Sequence, residues 1–108
     1  MPIPEMPRTE LVDLIARGEV TLVEALPEDV FAEGHLPAAV NIRPRRCAEL
    51  APTLLPDPDA RVVVYCGSAD CDASLRVAQH LINLGYHRVY RYTGGKRDWI
   101  NAGLPLHR

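Results

Sequence analysis

The run Arg61-Val62-Val63-Val64-Tyr65 is apolar after its first residue and shows no alternation. A strand with one wet face alternates between apolar and polar side chains. A strand without alternation is buried on both faces, as in the centre of a parallel sheet covered by helices. The next residues sharpen the constraint. Cys66 comes first, then the short segment 67–72, then a helical pattern over residues 73–84. Ala73, Val77, Leu81 and Leu84 recur there at helical spacing, with Ala78 and Ile82 beside them, and Gly85 is the stop. Strand, loop and helix in that order are the start of a βαβ unit.

The rest of the chain repeats the theme. Thr9 is placed to cap a helix over residues 10–17, with Leu11, Leu14 and Ile15 on one face and Gly18 ending it. Val20-Thr21-Leu22-Val23 reads as a strand, and 27–34 as a turn-rich connection with room for a short helix. Residues 39–42 read as a second strand, broken by Pro44. Residues 47–55 read as a short helix interrupted near Pro52. Pro56-Asp57-Pro58-Asp59 is a turn, Arg88-Val89-Tyr90-Arg91-Tyr92 a strand, Gly94-Gly95 a turn, and 97–101 a last short helix carrying Trp99. Strands alternating with helices give an α/β fold with a mostly parallel sheet. The 108 residues are expected to form a single domain, 1–108, with residues 1–7 and their three prolines as an extended lead-in.

Composition removes several function classes. A net charge of −2 carries no nucleic-acid footprint. No apolar run approaches the ~20 residues of a membrane-spanning helix. The N-terminus has neither a basic nor an apolar leader region, so no signal peptide is expected. Three cysteines, Cys47, Cys66 and Cys71, are an odd number for a disulfide scaffold and lack the paired spacing of a structural zinc site. A reducing, cytoplasmic setting is expected, with no metal.

Cys66 is the candidate nucleophile. At the carboxyl end of a buried strand, it lies where ligands of open α/β sheets bind. Loop N–H groups and a helix N-terminus there can stabilise a sulfur anion. Such surroundings can lower a cysteine pKa from about 8.5 to roughly 3.5–7.5. The loop residues expected to surround the sulfur and its ligand are Gly67, Ser68, Ala69, Asp70, Asp72, Ala73 and Ser74. Cys71 is a possible second thiol. Ser74 either caps the following helix or donates to the Cys66 sulfur. Arg45 and Arg46, after the strand at 39–42, are placed to supply positive charge at the pocket mouth.

Several segments carry a resemblance. Gly34-His35-Leu36-Pro37-Ala38-Ala39-Val40-Asn41-Ile42 resembles the Gly-His-Ile-Pro-Gly-Ala-Ile-Asn-Ile segment of rhodanese-like domains. Val62 to Cys66 is similar to that family's active-site strand and nucleophile. Leu84-Gly85-Tyr86, Val89-Tyr90, Gly94-Gly95 and Trp99 are similar to its C-terminal signature. The resemblance spans roughly residues 8–106. It implies a rhodanese-like fold, with a mainly parallel five-stranded sheet flanked by helices. The chemistry it implies is sulfurtransferase action, with sulfane sulfur carried as a persulfide on Cys66. The implied partners are a small sulfur donor or a protein persulfide, and a thiol acceptor; no metal or organic cofactor is needed.

The chain also departs from the family pattern. The segment from Cys66 to the helix is about two residues longer than the usual loop. Residues 67–73 contain no basic side chain and two acids, Asp70 and Asp72, which disfavour a dianion such as thiosulfate by like-charge repulsion. Cys71 makes a Cys-x4-Cys loop like that of a subgroup of the family. Leu22-Val23-Glu24-Ala25-Leu26 stands where Leu-(Ile/Val)-Asp-Val-Arg is usual. Two other readings stay open: a redox protein cycling Cys66 and Cys71 between dithiol and disulfide, and a non-catalytic binding module. A phosphatase or arsenate reductase is disfavoured because the nearest arginine, Arg76, falls inside the helix.

Overall fold

The computed structural model describes residues 3–108; the first two residues of the expected lead-in lie outside them. Strands β1 (Thr21–Glu24), β2 (Val40–Asn41), β3 (Val62–Tyr65) and β4 (Val89–Tyr92) form one parallel sheet in the order β2-β1-β3-β4. Helices α1 (Arg8–Ala16), α2 (Glu28–Glu33), α3 (Cys47–Leu54), α4 (Ala73–Asn83) and α5 (Gly95–Asn101), with a 3-10 turn at Pro44–Arg46, connect and cover the strands.

The unalternating run is the centre of the sheet. All four residues of β3 are buried, paired with β1 on one side (Val64 opposite Val23) and β4 on the other (Val64 opposite Arg91). Because side chains alternate along a strand, Val62 and Val64 face one layer and Val63 and Tyr65 the other. Val62, Val64, Val23 and Val89 pack on Cys47, Ala51 and Leu55, in and just after α3, and on Val77, Ala78 and Leu81 of α4. Leu22, Val63, Tyr65 and Tyr92 pack on Leu11 and Leu14 of α1, on Leu36 and on Trp99 of α5. Each fully buried valine contributes roughly 1.5–3 kcal/mol relative to exposure, so covering both faces is what stabilises so short a strand.

Among the described residues the sheet has four strands, not five. The lead-in does lie beside β4: the Arg91 N–H donates to the Pro4 carbonyl (3.0 Å), and the Met6 N–H to the Arg91 carbonyl (2.8 Å). This is a single parallel bridge, Glu5 to Arg91. Pro4 has no N–H to continue the ladder toward the N-terminus, and on the other side α1 starts at Arg8, directly after Pro7. Other boundaries differ for local reasons. The first helix begins at Arg8 behind Pro7, with Thr9 inside its first turn and no side-chain cap. Pro52 does not interrupt α3; it sits in the last turn, where it costs one N–H donor. In the ladder β2 is only Val40–Asn41. Just before it, Ala38 takes a left-handed φ of 61°.

The chain runs from β1 outward to β2, returns across β1 to β3, and leaves in the opposite direction to β4. The connections therefore diverge between β1 and β3. The crevice at the carboxyl ends of those two strands is the topological switch point, where open α/β sheets bind ligands. Cys66 is the first residue after β3. Among the described residues, no helix is long and apolar enough to cross a membrane.

Candidate active site

Tyr65 points toward the α1 and α5 layer, so Cys66 points the other way, toward α4. Its side chain is buried, with 2% of the residue exposed. The segment from Gly67 curls back over the sulfur through a turn in which the Cys71 N–H donates to the Ser68 carbonyl (3.2 Å). The Cys66 thiol donates to the Cys71 carbonyl (3.5 Å), and the Ser74 N–H in the first turn of α4 donates to Sγ (3.2 Å). Ser74 is itself 1% exposed. Among the described residues, Ser74 supplies the amide that is hydrogen-bonded to the sulfur.

These contacts reverse one expectation. Burial, and next the neighbouring Cys71 thiol, push the Cys66 thiol above its ordinary pKa; the Ser74 side chain and N–H pull it back only in part. Desolvation of an ion outweighs a single N–H···S bond. The resting state at neutral pH is therefore the thiol. Cys47, the first residue of α3, is a packing residue whose thiol burial pushes up to about 11.

The backbone beneath the sulfur is held by α5. The Lys96 N–H donates to the Cys66 carbonyl (2.9 Å) and the Arg97 N–H to the Gly67 carbonyl (2.8 Å). This close approach requires Gly95, which has φ +63° and where a Cβ would lie 2.3 Å from the Cys66 carbonyl oxygen.

On the opposite face, next to Cys66 in sequence, lies a buried polar cluster. Glu24, opposite Tyr65 in the ladder, is fully buried. Its Oε1 accepts from the Tyr65 hydroxyl (2.8 Å), which accepts in turn from the Leu36 N–H (3.0 Å). Oε2 lies 2.9 Å from Lys96 Nζ. That ammonium donates to the Val30 carbonyl (3.2 Å) and aims no hydrogen bond squarely at Oε2. The contact is an ion pair between two desolvated groups.

The expected residues fall into three groups. Cys66, Cys71 and Ser74 meet at the sulfur, and Ser74 is a sulfur neighbour rather than a cap: Asp72 holds the N-cap position of α4, with no side-chain cap bond. Gly67, Ser68 and Ala73 are partly exposed around the loop, while Ala69, Asp70 and Asp72 are exposed. Asp72 lies 3.9 Å from Arg76. Arg45 and Arg46 sit on the 3-10 turn that packs on α4. Arg46 is engaged by Glu28 (2.8 Å) and Glu49 (3.0 Å), and Arg45 is exposed. A groove of about 810 Å³, lined in part by Gln79, Ile82, Tyr86 and Tyr90, opens beside the amino end of β4, and no cysteine lines it. The reactive candidate thus sits under its own loop and not in that groove. Among the described residues no three His, Cys, Asp or Glu side chains converge as a metal site requires.

Two polar residues at the site escaped the sequence reading. Arg91 on β4 donates from Nε to Ser74 Oγ (3.2 Å). Alternation carried a signal: Arg91 shares a face with Val89, so it points inward. Lys96 follows a glycine pair, with no periodicity to give its direction.

A buried strand ending in a cysteine, at the switch point of a parallel sheet, matches more than a general α/β plan. A family model described as "Rhodanese-like domain" covers residues 7–102. The chain belongs to the rhodanese-like domain family. It is 34% identical over 99 residues to the "HTH-type transcriptional regulator Rv0324" of Mycobacterium tuberculosis, covering 92% of this chain and 42% of that protein. It spans less than half the length of that relative. It is 27% identical over 90 residues to the "Thiosulfate sulfurtransferase GlpE" of Coxiella burnetii, covering 83% of this chain and 80% of that one. The structure of the human single-domain sulfurtransferase TSTD1 superposes with a TM-score of 0.79 at 24% identity, covering 93% of this rhodanese-like chain and 97% of that one. That likeness establishes the shared fold.

Proposed function

We propose that this rhodanese-like protein is a sulfurtransferase that carries sulfane sulfur as a persulfide on Cys66. The observation that carries the reading is the placement of Cys66. Its sulfur is buried at the switch point, with the Ser74 N–H on it at 3.2 Å, in a chain related to a protein named thiosulfate sulfurtransferase. The Cys66 thiol first loses its proton. The thiolate then attacks a donor's outer sulfur. With thiosulfate, the S–S bond breaks, sulfite leaves, and Cys66–S–S⁻ remains. An acceptor thiolate attacks the outer sulfur, becomes a persulfide and frees the Cys66 thiolate. The two steps cause no net oxidation.

The donor that fits best is a small or protein persulfide. Asp70 and Asp72 flank the loop and Arg46 is already engaged by two carboxylates, so a dianion meets repulsion. Three free cysteines fit a reducing, cytoplasmic compartment.

A second reading is favoured by Cys71, whose carbonyl accepts the Cys66 S–H and whose thiol lies beside it. Attack of Cys71 on the inner sulfur of the persulfide would release hydrosulfide and leave a Cys66–Cys71 disulfide. Intact-mass analysis after treatment with a low-molecular-weight persulfide separates the readings. The expected result is an increment of one sulfur atom on the parent, none on Cys66→Ser, and loading retained on Cys71→Ser with a changed lifetime. A parent that yields only the loss of two hydrogens, as a disulfide, replaces the transferase reading with the redox one. No covalent change at all leaves a binding module.

A further inference from the structure

The loop around Cys66 carries no cation, yet the sulfur chemistry passes through anions twice, as thiolate and as persulfide. The fold brings a cation from another strand. Cys66 follows Val64 by two residues and shares its face, and Arg91 is the β4 residue opposite Val64 in the ladder. Arg91 therefore extends from the neighbouring strand toward the same layer. Its Nε donates to Ser74 Oγ at 3.2 Å, and the N–H of the same serine donates to Cys66 Sγ at 3.2 Å. The Arg91 backbone is fixed on both sides by the lead-in, through Pro4 and Met6. The side chain of Arg91 is hydrogen-bonded to the hydroxyl of Ser74, a residue 1% exposed.

We propose that Arg91 is a positioning residue of the sulfur site, turning the Ser74 hydroxyl proton toward Cys66 Sγ and so favouring the sulfur anion. A hydroxyl oxygen that accepts from Nε–H is polarised, and its own proton is left to donate. The N–H of Ser74 already donates to the sulfur at 3.2 Å, and a hydroxyl proton held toward Sγ carries the influence of the cation to it. The Ser74 side chain does pull on the Cys66 thiol in the direction of the anion. Other charged groups around the sulfur do not replace Arg91. Asp70 and Asp72 are acidic, and Arg76 lies by Asp72. Lys96 is turned to Glu24, Arg46 is engaged by Glu28 and Glu49, and Arg45 is exposed. The nearby Cys71 thiol works against the anion.

The inference rests on Cys66 as the nucleophile but not on sulfur transfer, so its test reads the thiolate directly. Iodoacetamide alkylation of Cys66, resolved by peptide mass mapping, is followed against pH for the parent, Arg91→Met, Arg91→Gln, Ser74→Ala and Arg91→Met with Ser74→Ala. The expected result for each Arg91 variant is a midpoint about one pH unit higher, hence alkylation about tenfold slower at neutral pH. The double variant should be no slower than Ser74→Ala alone, because the effect passes through that hydroxyl. The two Arg91 variants differ in polarity, so one that fails to fold leaves the other to decide. A lower melting temperature with an unmoved midpoint would assign Arg91 a structural role and overturn the proposal. So would Arg91 and Ser74 effects that simply add. If the midpoint moves as expected but the parent never loads sulfur, the transferase reading falls and this one stands.

Discussion

Cys66 and its neighbour Tyr65 point to opposite sides of the sheet, and the two sides solve the problem of a buried polar group differently. On the Tyr65 side a carboxylate with no exposure is matched by a lysine, a phenol and, through that phenol, the Leu36 N–H. On the Cys66 side a neutral thiol has a carbonyl, one N–H and a second thiol near it. The first arrangement holds an ion pair and anchors α5 beneath the site. The second can hold a negative charge only part of the time. A residue that must gain and lose a proton is better served by few and weak partners. A residue that fixes geometry is better served by a cluster that is expensive to break. The prediction of this contrast is that substitutions on the Tyr65 side change stability, whereas those on the Cys66 side change reactivity.

The largest expected effect on stability comes from Lys96→Met. It keeps the aliphatic stem and the backbone N–H that holds the Cys66 carbonyl, but it leaves the Glu24 carboxylate unpaired. Breaking a buried ion pair in this way costs about 3–5 kcal/mol. Urea unfolding should show a loss of that order. Adding Glu24→Gln should recover much of it, since the orphaned charge is gone. A loss below about 1 kcal/mol, the range of an exposed pair, would mean that water or Tyr65 alone satisfies Glu24, and the contrast between the two sides would collapse.

The fold was largely legible in the sequence because its strongest signals are local and periodic. The unalternating β3, the spacing along α4 and the order of strands and helices gave the α/β class and the place of Cys66. The fifth strand was expected from the family resemblance alone, and the described residues do not form it. Three prolines in residues 1–7 mark an extended segment but do not say whether it pairs, and among the described residues it meets β4 in a single bridge, Glu5 to Arg91. The site was legible where chain neighbours build it, at Cys66, Cys71 and Ser74. It was not where distant residues converge. The Arg91–Ser74 contact joins positions 17 residues apart, and Lys96 meets Glu24 across α5 and β1. The expectation of a depressed Cys66 pKa failed for a related reason: loop and helix geometry can be read from a motif, but the degree of burial is set by the whole fold.

A smaller effect, opposite in sign, is expected at Ala38. In the family segment it resembles, glycine occupies this position, and here a non-glycine residue adopts φ 61°. The left-handed region costs an L-residue about 1–2 kcal/mol, partly offset by the greater freedom glycine has in the unfolded chain. Ala38→Gly should therefore stabilise by about 0.5–1 kcal/mol in urea unfolding. It should leave the Cys66 alkylation profile in place, because residues 35–39 lead to Leu36 and Tyr65 rather than to the sulfur. Destabilisation would show that the strain is absent or that the Ala38 methyl group makes a packing contact worth more.

The smallest effect separates the two sides by pH. Asp98 on α5 accepts two hydrogen bonds from the Arg8 guanidinium (2.8 and 2.9 Å) and one from the Tyr92 hydroxyl. The Tyr92 hydrogen bond first, and then Arg8, hold its carboxyl below the usual range. A carboxyl depressed in the folded state adds stability above its unfolded pKa, about 3.9, and loses it as pH falls through the lower folded value. Both charged side chains are at least a third exposed, so solvent and salt weaken the contribution. Asp98→Asn should lower stability near neutral pH by less than Ala38→Gly raises it, and the gap from the parent should close as pH falls below the ordinary carboxyl range. Cys66 should show the opposite dependence: its alkylation rises as pH climbs past the ordinary thiol range, because burial raises the pH at which the thiolate forms. The comparison is then sharpened into two transitions that share no group, an acid one read by unfolding and an alkaline one read by alkylation. An Asp98→Asn variant whose alkylation midpoint moved with its stability would show that α5 couples the two sides through the Lys96 and Arg97 N–H groups, and they would have to be treated as one site.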